Sequence, residues 1–159
     1  MSTVLVCLIL ASVSSHLIAF PALADDTVGA ISGNIVLDVY VDAEGRALIV
    51  GYLEAKEPED LAFLEGSDYV HDEETGELYA LSDELTSVRE GLTKLEFEAE
   101  ADWDECHLAF YLPEGADILA VSCSAGIEYS VTEAEDSLVV EALGYDLEGI
   151  EVMIDYDLA

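Results

Sequence analysis

The chain has 159 residues, of which 36 are acidic and 4 basic, for a formal charge of −32. A charge of that size excludes nucleic acid and anionic membrane surfaces as electrostatic partners. Hydrophobic residues still make up 52 % of the chain and the mean hydropathy is +0.34, which argues against a disordered acidic chain and for a core beneath an acidic shell.

Residues 1–24 contain no Asp, Glu, Lys or Arg, and residues 4–20 are nearly all apolar or small. Ala22-Leu23-Ala24 followed by Asp25-Asp26 has the form of a secretory signal cleaved between Ala24 and Asp25. The basic n-region is missing, which leaves an uncleaved N-terminal anchor as the alternative. Against it, the apolar run is slightly shorter than the roughly 20 residues a spanning helix needs. Cys7 reads as apolar filler within this segment. No second apolar run of membrane length follows. The expectation is a protein secreted or held at the cell surface, with 1–24 a signal peptide, 25–33 a linker and 34–159 one domain. The 135 residues left after cleavage suffice for one ordinary domain and are too few for two.

Beyond the linker, Ile35, Leu37, Val39 and Val41 alternate with a mixed face that includes Asp38 and Tyr40. Side chains on a strand alternate faces, so residues 34–41 read as a strand, 42–45 as a turn and 46–54 as the returning strand of a hairpin. Pro58 ends that unit, and residues 61–68 suit a helical turn or a short edge strand equally. A second hairpin places 69–71 and 77–81 around the acidic turn 72–76. A calcium loop of the helical-hand type needs Gly at its sixth position, whereas counting from Asp72 puts Gly76 at the fifth. A polar turn with Gly76 in the left-handed region explains the stretch more simply. Residues 82–91 read as a connection between sheets that holds at most one helical turn.

From 95 to 103, Leu95, Phe97, Ala99, Ala101 and Trp103 alternate without a miss with Glu96, Glu98, Glu100 and Asp102, which predicts a single strand with one buried face. Next, Cys106, Leu108, Phe110 and Leu112 share one face and His107, Ala109 and Tyr111 the other, until Pro113, Glu114 and Gly115 stop the run. Residues 118–124 can pair back in two registers. One sets Phe110 opposite Leu119 and Cys106 opposite Cys123; the other sets Cys106 opposite Ser124. The first keeps the apolar face intact and predicts a disulfide between Cys106 and Cys123, with two buried reduced thiols as the alternative. A hairpin of 126–132 with 137–143 follows, and Ile150, Val152, Ile154, Tyr156 and Leu158 mark the last strand. Turn signals every 8 to 12 residues make the expected fold all-β: a single antiparallel β-sandwich of about eight to nine strands, immunoglobulin-like or of related Greek-key topology.

Residues able to carry chemistry are few. A zinc set of His71, Cys106, His107 and Cys123 can be written down, but Cys106 and His107 point to opposite faces of one strand. Ser122 and Ser124 lack the glycine pattern of a nucleophile elbow, so a small secreted hydrolase using His107 or His71 is a third-place expectation. With 36 acids, some pair at a glycosidase spacing is assured and means little. Asp102, Asp104 and Glu105 are the candidate ligands if a multivalent cation is bound, and calcium is then the expected ion; no other cofactor is expected. High external salt is the other environment such a charge suits. Most of the eight tyrosines read as packing.

The segments Leu85-Thr86-Ser87, Phe110-Tyr111-Leu112-Pro113-Glu114-Gly115-Ala116, Ile127-Glu128-Tyr129, Ser137-Leu138-Val139-Val140 and Ile154-Asp155-Tyr156 together resemble archaeal extracytoplasmic β-sandwich modules. In these a strand ends in an LP-x-(G/N)-A turn and the last strand carries an aliphatic-x-Tyr pattern. The resemblance spans about half the chain. It implies a cell-envelope location and a sandwich fold and supplies no catalytic residues. Such modules often precede a membrane segment, which this sequence lacks after the last strand. The leading expectation is a non-enzymatic binding or scaffolding protein that contacts envelope proteins through open sheet edges or tyrosine-bearing faces, with a calcium-dependent surface protein as the alternative.

Overall fold

The structure is a computed structural model that describes residues 33–158 other than 56, 135 and 136. The expected signal segment, Cys7, the cleavage point between Ala24 and Asp25, and the linker up to residue 32 lie outside the described residues.

The described chain is built from strands: β1 (Asn34–Val41), β2 (Ala47–Leu53), β3 (Asp68–His71), β4 (Glu77–Ser82), β5 (Thr86–Arg89), β6 (Leu92–Ala99), β7 (Trp103–Tyr111), β8 (Ala116–Cys123), β9 (Ile127–Ala134), β10 (Ser137–Leu147) and β11 (Ile150–Leu158). They form two open sheets. The large sheet has seven strands in the order β3-β4-β2-β1-β7-β10-β9, and the small sheet four in the order β5-β6-β11-β8. The all-β class is as expected. The strand number is higher than expected, and the large sheet is mixed, because β1 and β7 run parallel.

Local chemistry explains the hairpins. In the β1–β2 turn, Asp42 Oδ1 accepts the backbone N–H groups of Glu44 and Arg46 at 3.0 and 2.9 Å, and Gly45 takes φ +85°, a left-handed conformation that costs glycine little. The β3–β4 turn repeats the device, with Asp72 Oδ1 accepting from Glu74 and Thr75 at 2.9 and 3.0 Å. These backbone donors hold the Asp72 carboxyl below the ordinary range. Partial burial opposes the same effect at Asp42, where the Arg46 backbone N–H and guanidinium outweigh it. The acids of the 72–76 loop therefore work as turn caps. Between the two hairpins, residues 61–68 resolve toward the helical alternative, as the short 3-10 turn Ala62–Leu64.

The chain departs from the sequence reading where it changes sheets. The alternation from 95 to 103 is not one strand: β6 ends at Ala99 and β7 begins at Trp103. Both residues are buried, and the Trp103 indole N–H donates to the Ala99 carbonyl at 3.2 Å across the bend, so the pattern of burial continues while the backbone turns. The expected pairing of 106–112 with 118–124 does not form. Both edges of β7 are taken, by β1 and β10, and β8 instead joins β11 in the small sheet. Thr86–Arg89 is a strand within what was expected to be a connection, with a Glu90-Gly91 turn returning it to β6.

The interior is shared by both sheets. Ile35, Leu37, Leu108 and Phe110 of the large sheet meet Leu95, Phe97, Val152 and Ile154 of the small one in a single cluster. Its apolar area is the main source of stability, at roughly 25 cal/mol per Å² buried.

Candidate functional site

Pairing register places the side chains on the outer face of the large sheet. One row crosses it as Asp68, Leu81, Leu48, Tyr40 and Tyr111. The next runs Val70, Tyr79, Val50, Asp38, Ala109 and Glu141, and the third Glu77, Tyr52, Val36, His107 and Leu143. Tyr145 lies beside Glu105 at the margin. Of the thirteen large hydrophobic side chains exposed among the described residues, eight stand on this face, with Val70, Tyr79, Leu81 and Tyr145 between 57 and 70 % exposed. The outer face of the small sheet is different in kind. Its central positions are Glu96, Glu98, Glu151, Asp155 and Asp157, with Lys94 and Met153 among them.

The tyrosines thus reverse the expectation of packing. Only Tyr156 is fully buried, and Tyr40, Tyr52, Tyr79, Tyr111 and Tyr145 all face outward on the large sheet. Alternation within each strand set Tyr40 against Val39 and Val41, Tyr79 against Leu78 and Ala80, and Tyr111 against Phe110 and Leu112, and it was those neighbours that took the inner side. The rings of Tyr40 and Tyr111 stack at 4.4 Å with an interplanar angle of 13°. Partial burial raises the Tyr111 hydroxyl above its ordinary range, and the neighbouring Asp38 carboxylate raises it further. At one end the face runs into a depression of about 600 Å³, lined by Tyr40, Leu48 and Leu81 together with Asp42, Asp68 and Asp83.

The residues singled out for chemistry are dispersed. His107 is on the outer face of the large sheet with its Nε2 4.0 Å from Glu141 Oε1, whereas Ser122 is paired with Met153 on the small sheet. The Ser124 hydroxyl accepts the Glu151 backbone N–H at 3.1 Å. His71 lies on edge strand β3 with its Nε2 2.9 Å from the Leu53 carbonyl. No nucleophile, base and acid come together from these. Cys106 faces the core and His107 faces out, as the alternation required, and the four written zinc ligands do not gather. Among the described residues no group of three His, Cys, Asp or Glu side chains is arranged to hold a metal ion. Asp102 lines an acidic cleft with Glu98, Glu100 and Glu151 at the end of the molecule, while Asp104 and Glu105 project from β7.

Cys106 and Cys123 are free thiols. They stand on strands of different sheets, so the register that set them opposite each other in a hairpin is corrected. Both nevertheless touch the common core. Burial, with the Cys123 thiol adding to it, pushes Cys106 up to about 12.

Comparison of the chain with protein-family models, with curated proteins and with solved structures returns no match.

Proposed function

We propose that this chain is a secreted or cell-surface β-sandwich with a non-enzymatic binding or scaffolding role in the cell envelope, and that it binds through the outer face of its large sheet. The observation that carries this is the concentration of exposed Tyr, Leu and Val side chains on that face of an otherwise acidic protein. At 39 to 70 % exposure, the eight side chains offer roughly 800 Å², about one partner's share of a standard interface. Apolar surface of this extent gathered on one sheet face, though broken by Asp38 and Glu141, is typical of an interaction surface. The uncharged, apolar segment before Ala24 supports export. An immunoglobulin-like or Greek-key sandwich is the finer topology we assign to the two sheets, with the parallel β1–β7 pair as its departure from the all-antiparallel form.

Cosedimentation with envelope material from the source cells tests the role. Tyr79→Ser with Leu81→Ser, on the face, should lower the bound fraction about tenfold. Met153→Ser, on the small sheet, should not. Equal binding by all three proteins, each folded by circular dichroism, would refute binding through this face.

A further inference from the structure

The middle of the outer face combines aromatic surface with carboxylates. Asp38 on β1, Ala109 on β7 and Glu141 on β10 are direct lateral partners. The two carboxylate-bearing residues therefore flank the shortest side chain of the row, two strand spacings or about 9.5 Å apart at the backbone. The stacked Tyr40 and Tyr111 rings form the adjoining wall. Neither carboxylate has a Lys or Arg partner among the described residues: Arg46 is bound to Asp42 at 2.7 Å in the β1–β2 turn, and Lys94 to Glu96 at 2.6 Å on the small sheet. The His107 ring stands beside Glu141 on the same face, with Nε2 4.0 Å from Oε1.

This chemistry selects among occupants. A second copy would set Asp38 and Glu141 against another acidic face, and an anionic polymer is repelled by the whole molecule. A neutral glycan could stack on the tyrosines but would leave both carboxylates without counter-charge. A guanidinium or ammonium answers both features, because it stacks on an aromatic ring and pairs with a carboxylate in one placement. The breadth of the patch exceeds what a small organic cation covers and calls for a polypeptide.

Building on the binding role proposed above, we infer that the outer face of the large sheet receives a basic segment of a partner protein. An Arg or Lys side chain lies over Ala109, between Asp38 and Glu141 and against the Tyr40–Tyr111 ring pair, while apolar residues of the segment cover Leu48, Tyr79 and Leu81. The net charge of −32 steers such a partner in.

The probe is a capped hexapeptide alternating arginine and leucine, with the same peptide carrying glutamate in place of arginine as its control. Both are titrated calorimetrically into the protein at about 0.15 M NaCl, where the Debye length is about 8 Å. The arginine peptide should bind and the glutamate peptide should not. Asp38→Asn with Glu141→Gln should weaken binding about tenfold, and Glu96→Gln with Glu151→Gln on the small sheet should change it less than about twofold. Backbone amide shifts should centre on Tyr40, Ala109 and Tyr111. Equal weakening by the two charge pairs, or shifts spread over the small sheet, would reduce the effect to general attraction by an acidic surface and overturn the inference. If Tyr79→Ser with Leu81→Ser abolishes envelope binding while Asp38→Asn with Glu141→Gln leaves it intact, the face is a binding surface and its occupant is not basic. If neither pair matters, both proposals fail.

Discussion

Phe97 is where the two sheets and the β2–β3 connection meet. It is fully buried on β6, stacks on Phe63 of the 3-10 turn at 4.5 Å and 25°, and meets Phe110 of β7 edge-on at 5.8 Å and 72°. Two substitutions separate its contributions. Phe97→Leu keeps most of the apolar volume and removes both ring pairs, for an expected loss of about 1–3 kcal/mol at about 0.5–1.5 kcal/mol per pair. Phe97→Ala also opens a cavity between the sheets, and large-to-small changes of this kind cost about 3–5 kcal/mol. Against a total stability of about 5–15 kcal/mol, the alanine variant sits near the limit of folding, so unfolding is best followed in molar NaCl. Trp103, 1 % exposed, supplies the fluorescence signal for urea titration. Phe63→Leu combined with Phe97→Leu should lose less than the sum of the single variants by about the energy of one ring pair. A Phe97→Ala variant that lost less than about 1 kcal/mol, or singles that added without coupling, would show that these rings do not join the sheets as described.

Three further outcomes are expected. The melting temperature should climb from low to molar NaCl as the Debye length shrinks to about 3 Å, and a flat response would show that the acids do not repel one another appreciably. Calcium chloride matched for ionic strength should give the same gain, and a larger one would direct attention to the Asp102 cleft. Slight desolvation by its neighbours on the exposed sheet face raises the Glu98 carboxyl above its ordinary range, and the neighbouring Glu100 carboxylate adds to the shift. The folded chain therefore holds that proton more tightly than the unfolded chain does. Ionised Glu98 opposes folding at neutral pH, and this penalty disappears as pH falls below the unfolded value. Glu98→Gln should then raise the melting temperature at about pH 7 in low salt and make no difference by about pH 3; an unchanged melting temperature at neutral pH would refute the repulsion. Finally, refolding residues 25–159, which leave out Cys7, with oxidised glutathione should join Cys106 and Cys123, each thiol giving up its proton and the electron pair passing to glutathione, which is released as two thiols. Intact mass should show the loss of two hydrogens in the wild type and not in Cys123→Ser. Two titratable thiols remaining in the unfolded wild type would exclude the bond.

What the sequence made legible was local. The hairpins β1–β2, β3–β4 and β9–β10 follow from alternation on either side of a short polar turn, and Asp42, Gly45, Asp72 and Gly76 set two of those turns within a few residues. The strand β11 was equally plain, because Ile150, Val152, Ile154 and Tyr156 leave no other period. The pairing of β7 was not local. Cys106, Leu108 and Phe110 show which side is apolar, yet whether β8 lies beside β7 depends on β1 and β10 claiming both its edges, and nothing within residues 106–123 carries that information. The β6–β7 bend was hidden because Ala99 and Trp103 keep the same parity on both sides of it. Strand β5 was missed since Ser87, Val88 and Arg89 are all exposed and alternate nothing. The candidate face depended on a choice between two sides of the same strands. Period-2 spacing grouped Tyr40 with Asp38 and Tyr79 with Glu77, and those acids were the available sign that their tyrosines looked outward.

The parallel seam between β1 and β7 also governs how the molecule can assemble. Ile35 is lateral to Cys106 and Val39 to Phe110, so each rung joins residues 71 positions apart, whereas neighbouring hairpins close within microseconds. Such non-local pairing is slow because the ordering entropy of the intervening chain is lost before any contact rewards it. During synthesis at about 5–20 residues per second, β1 emerges several seconds ahead of the strand it must meet. The β1–β4 unit, ordered β3-β4-β2-β1, therefore exists for a time with the outer edge of β1 open, and closure of this seam is the step at which chaperone capture or aggregation would compete with folding.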